Sequence, residues 1–202
     1  MAVDDLIDRV RRIYSSIGFV EEADISKFIP PVVRNDSREG FYQDWSGGLT
    51  DSDLANLVNS LIQNVASLEY HLKKWADHND YDKVKVDTTF RTSQPLKIIH
   101  DLWNNDKHGY PPRQPSRSGL CPQLTEIKRL LRLETKAEKG SFTGVIFTRE
   151  GVPKKLGSGT AKVVVTGDIL DRNGNKVGDF YKTSLEAVEA LEALLADYGV
   201  KL

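Results

Sequence analysis

The sequence predicts an α+β protein, in which an N-terminal helical bundle is followed by a small antiparallel sheet and a C-terminal helix. Three observations lead to this fold class. Apolar residues recur at helical spacing along residues 51–78. β-Branched residues become frequent after Gly140, and Asn173-Gly174 separates two such runs, which is a strong hairpin signal. We expect about four helices in residues 1–139 and about three strands plus a helix in residues 140–202, packed on the bundle or appended as a subdomain.

The first two predicted helices follow from apolar periodicity. Residues 3–17 form an amphipathic helix that Gly18 closes, and residues 18–49 form an irregular connector. Thr50 and Asp53 resemble a capping box at the start of a long helix over residues 51–78. This helix carries a narrow apolar seam that fits either a bundle or a helix-mediated dimer: Leu54, Val58, Leu61, Val65, Leu68, Leu72 and Trp75.

Two shorter helices are predicted next. Residues 79–92 are a connector with a short extended piece at Val84–Val86. Ser93 caps a third helix that Gly109 ends. After a basic loop, Pro122 opens a fourth helix over residues 122–138.

Residues 140–202 form the predicted β part. Three strands are expected within residues 142–182, and the segment 157–160 joins two of them as a loop rather than as a phosphate cradle. Thr183 caps a final helix over residues 184–198, which ends at Gly199.

Composition indicates an ordinary soluble protein. Of the 202 residues, 39% are hydrophobic and 28% are charged, and no apolar run approaches the roughly 20 residues of a membrane span. The N-terminal segment carries acids within an amphipathic pattern, unlike a signal peptide. A lone Cys121 excludes an intramolecular disulfide and a thiolate zinc cluster. We expect a cytoplasmic protein with no membrane partner, no cofactor, no metal site and no DNA sequence-reading motif.

Positive charge is concentrated in one segment. Residues 107–139 contain eight Lys and Arg residues against three Glu, a surplus of five, although the net charge of the chain is −1. Such asymmetry indicates an anion-binding surface, with a solvated helix face plus a basic loop as the alternative. Candidate ligand-binding residues from this segment are Arg113, Arg117, Arg129 and Arg132.

The third helix has an unusual polar face. Its polar half holds Lys97, His100, Asp101, Asn104, Lys107 and His108. Asn and His are weaker helix formers than Glu, Lys or Gln, which suggests a binding role for this face. In the alternative interpretation, Asn104 and its neighbour Asn105 loosen the last turn, and His108 interacts with the helix dipole. We take His100, Asp101 and Asn105 as further ligand-binding candidates.

The segments "SLEYHLKKW" and "DLWNNDKHG" each end a predicted helix. Together they resemble HEPN-type helical-bundle proteins of bacteria, over about residues 40–109. That superfamily includes ribonucleases of toxin and phage-defence systems, together with non-catalytic nucleotide-binding or scaffold members. In the nucleolytic members, an Arg followed by a polar residue precedes a His. Here His108 matches the His and Asn104 the polar residue, but Trp103 stands at the Arg position.

Two functions remain open at this point. In the first, the chain is a binding or assembly module, a homodimer through its helices that holds RNA, a nucleotide or a protein partner in a polar groove around His108. In the second, it is a metal-independent endoribonuclease that uses His108 as acid or base with Asn104 and Lys107. The missing Arg favours the first, because Lys107 lacks the bidentate fork of a guanidinium.

Overall fold

The computed structural model describes residues 3–30, 32–34, 39–41, 43–110 and 116–200. Its described part is a mixed α+β fold, as the sequence predicts. Within these ranges, no helix is both long enough and apolar enough to cross a bilayer. The five helices of the described residues are α1 (Val3–Val20), α2 (Asp51–His78), α3 (Lys83–Thr92), α4 (Gln94–His108) and α5 (Phe180–Asp197).

The strands form one four-stranded antiparallel sheet and two hairpins. The four-stranded sheet has β7 at its centre, with β4 along one edge and both β1 and β8 along the other. The pairs β2–β3 and β5–β6 form the hairpins. The strands are β1 (Glu21–Glu22), β2 (Val32–Arg34), β3 (Glu39–Phe41), β4 (Gln123–Glu134), β5 (Thr143–Phe147), β6 (Pro153–Gly157), β7 (Thr160–Leu170) and β8 (Lys176–Asp179).

The long helix α2 confirms its prediction at both ends. Thr50 accepts a hydrogen bond from the Asp53 amide at 3.2 Å, and the Asp53 carboxylate accepts one from the Thr50 amide at 2.9 Å. Every residue of its predicted seam is buried. These side chains belong to the main core, which also receives α1, α4, α5 and the sheet residues Val165 and Ile169. The apolar seam of α2 therefore packs against other elements of the same chain.

The connector predicted over residues 79–92 is wrong in part, because residues 83–92 form α3. Asp82 caps this helix by accepting a hydrogen bond from the Val84 amide at 2.9 Å, and Val86 and Phe90 bury one face. The β-branched residues that suggested an extended piece are tolerated because α3 packs against α2, α4 and α5. Ser93 joins α3 to α4: its amide donates to Thr89 O at 2.9 Å and its side chain accepts from the Leu96 amide.

The helix predicted over residues 122–138 is also wrong, because this segment is strand β4. It pairs with β7 in a register that shifts between Thr125 and Lys128, where Glu126 has a φ of 50°. This bulge interrupts the alternation of polar and apolar residues, so the sequence resembles a helix. Pairing with the buried strand β7 then overrides helix propensity.

Smaller differences concern element ends and strand number. Helix α1 continues to Val20 past Gly18, and the connector that follows it contains the three short strands β1–β3. Four strands, not three, lie within residues 142–182, and Asn173-Gly174 forms the β7–β8 turn as predicted. Helix α5 starts at Phe180 because Asp179, rather than Thr183, accepts the capping hydrogen bond from the Lys182 amide at 3.0 Å.

The turn between β6 and β7 leaves no room for a side chain at Gly159. A Cβ there would overlap Thr143 Oγ1 and the Glu134 carbonyl oxygen. We therefore expect Gly159→Ala to lower the free energy of unfolding by about 1 to 3 kcal/mol, the usual effect of overpacking. Urea denaturation followed by circular dichroism measures this change. Gly144→Ala is the control, because a Cβ at Gly144 has nothing within 4 Å; equal stability of the two variants would contradict this packing.

Candidate functional site

Helix α4 positions the candidate site on the bundle. Its apolar side chains Leu96, Ile98, Ile99 and Leu102 are buried in the main core. His100 and Asp101 are buried as well, at 7% and 4% exposure. Two ionisable side chains on a core-packed helix need polar partners, because burial of an unpaired charge is strongly unfavourable.

Asp101 finds its partners in the segment that leads to strand β4. Its Oδ1 accepts a hydrogen bond from the Arg117 amide at 2.9 Å. Its Oδ2 accepts hydrogen bonds from the Ser118 amide at 2.9 Å and from the hydroxyls of Ser116 and Ser118. Four donors therefore fix residues 116–118 against α4, and this contact determines where the Arg117 side chain begins.

A chain of alternating charges extends from Arg117 across α2 to α3. Arg117 Nη1 lies 2.7 Å from Glu69 Oε2, and Lys73 Nζ lies 2.8 Å from Glu69 Oε1. Lys73 Nζ also lies 2.6 Å from Asp87 Oδ1. We call these four residues the ion-pair chain. It connects the 116–118 segment, α2 and α3 in one electrostatic unit.

The ion-pair chain determines the charge states of its members. Burial alone raises the pKa of Glu69, but hydrogen bonds from Lys73 and Arg117 outweigh it and hold the pKa below its ordinary value. Burial lowers the pKa of Lys73, and hydrogen bonds to Asp87 and Glu69 more than reverse that effect. Both groups are therefore charged at neutral pH.

His100 lies beside the ion-pair chain as a neutral ring. Its Nε2 lies 3.7 Å from Glu69 Oε2, and its Nδ1 lies 3.1 Å from Asn104 Nδ2. Burial lowers the pKa of His100, and the Arg117 guanidinium lowers it further. The contact with Asn104 Nδ2 suits an unprotonated Nδ1, and Nε2 faces Glu69 from beyond hydrogen-bond distance.

A cleft of about 340 Å³ opens over the ion-pair chain. Its walls come from α2, α3, the start of α4 and the 116–118 segment, and they are formed by Glu69, Lys73, Asp87, Phe90, Arg91, Lys97 and Arg117. Neither Arg91 nor Lys97 forms an ion pair with another residue of the described part. The four cations and two carboxylates leave the cleft with a surplus of two positive charges.

The other predicted residues of α4 lie outside this cleft. Lys107 and His108 are exposed, and Lys107 Nζ lies 5.4 Å from the centre of the Trp103 ring. Asn105 donates a hydrogen bond to Pro122 O at 2.7 Å. Asn104 contacts His100, as described above. The structure brings His100, Asp101, Asn104 and Arg117 together, and it does not gather His108 with them.

Two of the remaining arginine candidates, Arg129 and Arg132, lie on strand β4, which replaces the predicted helix. They contact different parts of the chain. Arg129 donates a hydrogen bond to Ser46 O at 3.3 Å, its guanidinium lies 5.1 Å from the Phe28 ring centre, and burial lowers its pKa. Arg132 donates to Glu134 at 2.8 Å and stacks over the Tyr181 ring. Arg113 lies outside the described residues.

Sequence reasoning missed most of the cleft. Glu69 and Lys73 are four residues apart, a spacing that signals an ion pair on a helix. Asp87 and Arg91 repeat that spacing on α3, but they were hidden in a segment predicted to be a connector. Among the described residues, no group of three or more His, Cys, Asp or Glu is arranged to hold a metal ion.

We expect the stability of the fold to depend on the negative charge of Asp101. In Asp101→Asn, one side-chain oxygen becomes an NH₂ group that faces N–H and O–H donors, so hydrogen bonds are lost and a repulsive contact forms. We expect the free energy of unfolding to fall by about 2 to 4 kcal/mol. Chemical denaturation measures it. Asp106→Asn, an exposed position of the same helix, is the matched control; an effect no larger than that of the control would contradict the role of Asp101.

His100 should make the fold less stable at mildly acidic pH. Its folded-state pKa is lowered from 6.5, so the unfolded chain binds the proton first and stability falls as the pH drops below that value. Removal of this histidine in His100→Gln should flatten the pH dependence between about pH 7.5 and about pH 5.5. The pKa of His71 is also lowered, so part of the slope will remain.

The measurement is urea denaturation at a series of pH values. His108→Gln is the control, because His108 is the exposed histidine of the same helix. An unchanged slope in His100→Gln would show that the buried ring is not held neutral.

Comparison of the chain with protein-family models, with curated proteins and with solved structures gives no match. The relationship to HEPN-type bundles therefore stays a prediction that depends on the two segments that suggested it.

Proposed function

We propose that this chain is a binding module that holds a phosphate-bearing ligand, a nucleotide or an RNA, in the cleft between α2, α3, α4 and the 116–118 segment. One observation supports the proposal above all others. The cleft keeps two cations, Arg91 and Lys97, after the ion-pair chain has used its carboxylates for Lys73 and Arg117.

A surplus of like charge in a concave site favours an anionic ligand. The walls of a cleft exclude part of the solvent and strengthen the field of the cations that line it. Phe90, which is 1% exposed, provides an apolar wall close to these charges. Arg91 attracts Asp87 without forming an ion pair with it, so an anion that enters would neutralise Arg91 and Lys97 without breaking an ion pair of either.

Phosphate suits this site better than a single carboxylate. A phosphate monoester carries up to two negative charges, which matches the surplus. The guanidinium groups of Arg91 and Arg117 offer parallel N–H donors that bind phosphate oxygens in pairs. A volume of about 340 Å³ lies within the range of small-molecule sites, so a nucleotide or one segment of an RNA strand fits the dimensions.

Binding is favoured over catalysis because the histidine beside the cleft is buried. His100 is 7% exposed, its Nδ1 contacts Asn104, and the ring does not line the cleft, so it is poorly placed to exchange a proton with a substrate. In the ribonuclease alternative, His108 acts with Asn104 and Lys107. Asn104 contacts His100 instead, and the His108 side chain makes no hydrogen bond or ion pair with another described residue.

The HEPN resemblance fits the same proposal. Trp103 stands where the nucleolytic members carry their Arg. A member without that Arg would act as a nucleotide-binding or assembly component, for example within a bacterial toxin or phage-defence type of system. We include a homodimer and a protein partner in this wider proposal.

The test removes the two unpaired cations. We expect Arg91→Ala/Lys97→Ala to weaken the binding of ATP and of a short single-stranded RNA by about tenfold or more, because two direct charge contacts are lost. Isothermal titration calorimetry for ATP and fluorescence anisotropy for RNA measure the affinities. Binding of RNA by the unaltered chain should weaken steeply with added salt, because bound phosphates release counterions.

The matched control is Arg11→Ala/Lys83→Ala. It removes the same two residue types from exposed ion pairs with Asp8 and Asp77, outside the cleft. Equal loss in both variants would show non-specific attraction, and no binding by the unaltered chain would refute the proposal. RNA incubated with the protein and EDTA should stay intact. Cleavage that is lost in His108→Ala would instead establish the ribonuclease.

A further inference from the structure

Among the described residues, strand β4 has a paired neighbour along one edge only and leaves its other edge open. It lies at the end of the strand order and pairs with β7 on one side only. Along Arg129–Leu133, no backbone hydrogen bond to another described residue is formed on the outer edge. Every second residue of this stretch therefore presents its N–H and C=O groups away from the sheet.

The apolar side chains of β4 are also incompletely buried. Its five large apolar residues, Leu124, Ile127, Leu130, Leu131 and Leu133, are all partly exposed, and Leu133 is 44% exposed. Their paired neighbours Val163, Val164 and Val165 on β7 are at most 1% exposed. Leu124, Ile127 and Leu131 pack against the apolar clusters, and charged residues flank the leucines of the outer stretch. An open edge that still exposes leucines promotes association unless it has a defined partner. The bulge at Thr125–Lys128 protects only the first part of the strand.

We infer that a second copy of this chain pairs with β4 in antiparallel fashion, which joins two four-stranded sheets into one. The two-fold axis would be perpendicular to the sheet, because only that axis brings two β4 edges together in opposite directions. Rotation about this axis leaves each side chain on the same face of the joined sheet as in the single copy. Directly opposed residues share a face, so the axis must pass through a single residue position.

The charges of β4 select that position. An axis through Leu130 would place Lys128 opposite Arg132 of the second copy, and an axis through Arg129 would place two arginines together. Like charges directly opposed are destabilising. An axis through Leu131 places Lys128 opposite Glu134 of the second copy, twice by symmetry, and places the two Leu131 side chains together. Of these three registers, only the third places opposite charges together.

The present contacts of these two residues allow the exchange. Lys128 Nζ lies 3.3 Å from Glu126, and the Glu134 carboxylate lies 2.8 Å from Arg132 Nε, both in exposed pairs. Exposed pairs contribute little to stability, so little is lost when they are replaced. Thr143 Oγ1 donates to the Glu134 carbonyl at 2.9 Å, which limits the backbone ladder to Arg129–Leu133. The Lys128–Glu134 pairs then flank the ladder at both ends.

This surface differs from the helix-mediated contact that the sequence suggested. The apolar seam of α2, on which that expectation depended, is buried within the chain itself. The inference is independent of the proposed ligand, because none of the cleft residues lies on β4.

Sedimentation equilibrium of the full chain tests the inference. The unaltered protein should reach twice its monomer mass of 22.7 kDa. Lys128→Glu should raise the dimer dissociation constant by about tenfold or more, because two repulsive pairs replace two attractive ones, and Glu134→Lys should do the same. The double variant Lys128→Glu/Glu134→Lys should restore the dimer.

Lys83→Glu is the control, because Lys83 is an exposed, ion-paired lysine on α3. A protein that stays monomeric at all concentrations would overturn the inference. A dimer that neither single reversal weakens would also overturn it, since its interface would lie elsewhere. Circular dichroism of each variant verifies that the strand content is kept, and recovery in the double variant excludes a folding defect as the cause.

Discussion

The buried carboxylate of Asp101 is the contact on which the rest of this architecture depends. It holds the segment between the helices and the sheet by four hydrogen bonds, two of them from backbone amides. That segment delivers Arg117 to Glu69 on one side and leads into strand β4 on the other. A single side chain on α4 therefore aligns the cleft with the sheet. The helices and the strands share a core, but this polar contact fixes their connection.

Most charged side chains near Asp101 form ion pairs, and two further cations are left in excess. Glu69 and Lys73 are partly buried, and each keeps its charge because a partner of opposite sign lies within 3 Å. The chain of pairs stabilises the junction of α2, α3 and the 116–118 segment. The two cations that have no place in it face the same opening. Neighbouring residues therefore serve the stability of the fold and, under the proposed function, the binding of a ligand.

The local signals in the sequence were sufficient for the helices that begin and end with clear caps. Thr50, Ser93 and Gly109 determine the limits of α2 and α4 through their own hydrogen bonds and backbone angles, so neighbours in sequence reveal them. Strand β4 could not be predicted in this way. Its conformation depends on pairing with β7, some 40 residues away, and its bulge disguises the alternation of side chains.

In the candidate site, too, only some of the features could be predicted from local sequence. The polar face of α4 drew attention to His100 and Asp101, the basic segment drew attention to Arg117, and these residues do lie together. Their role could not be seen without Glu69, Lys73 and Asp87, which come from two other helices. Residues on different elements meet only through tertiary packing, and no spacing rule within one helix reports it.

The junction at Ser93 has a consequence for the proposed binding of a phosphate-bearing ligand. This one residue ends α3 and caps α4, so no flexible linker separates the backbone of Arg91 on the first helix from that of Lys97 on the second. Under the proposed function, binding would not have to order a loop between these two cations, and the corresponding loss of entropy would be avoided.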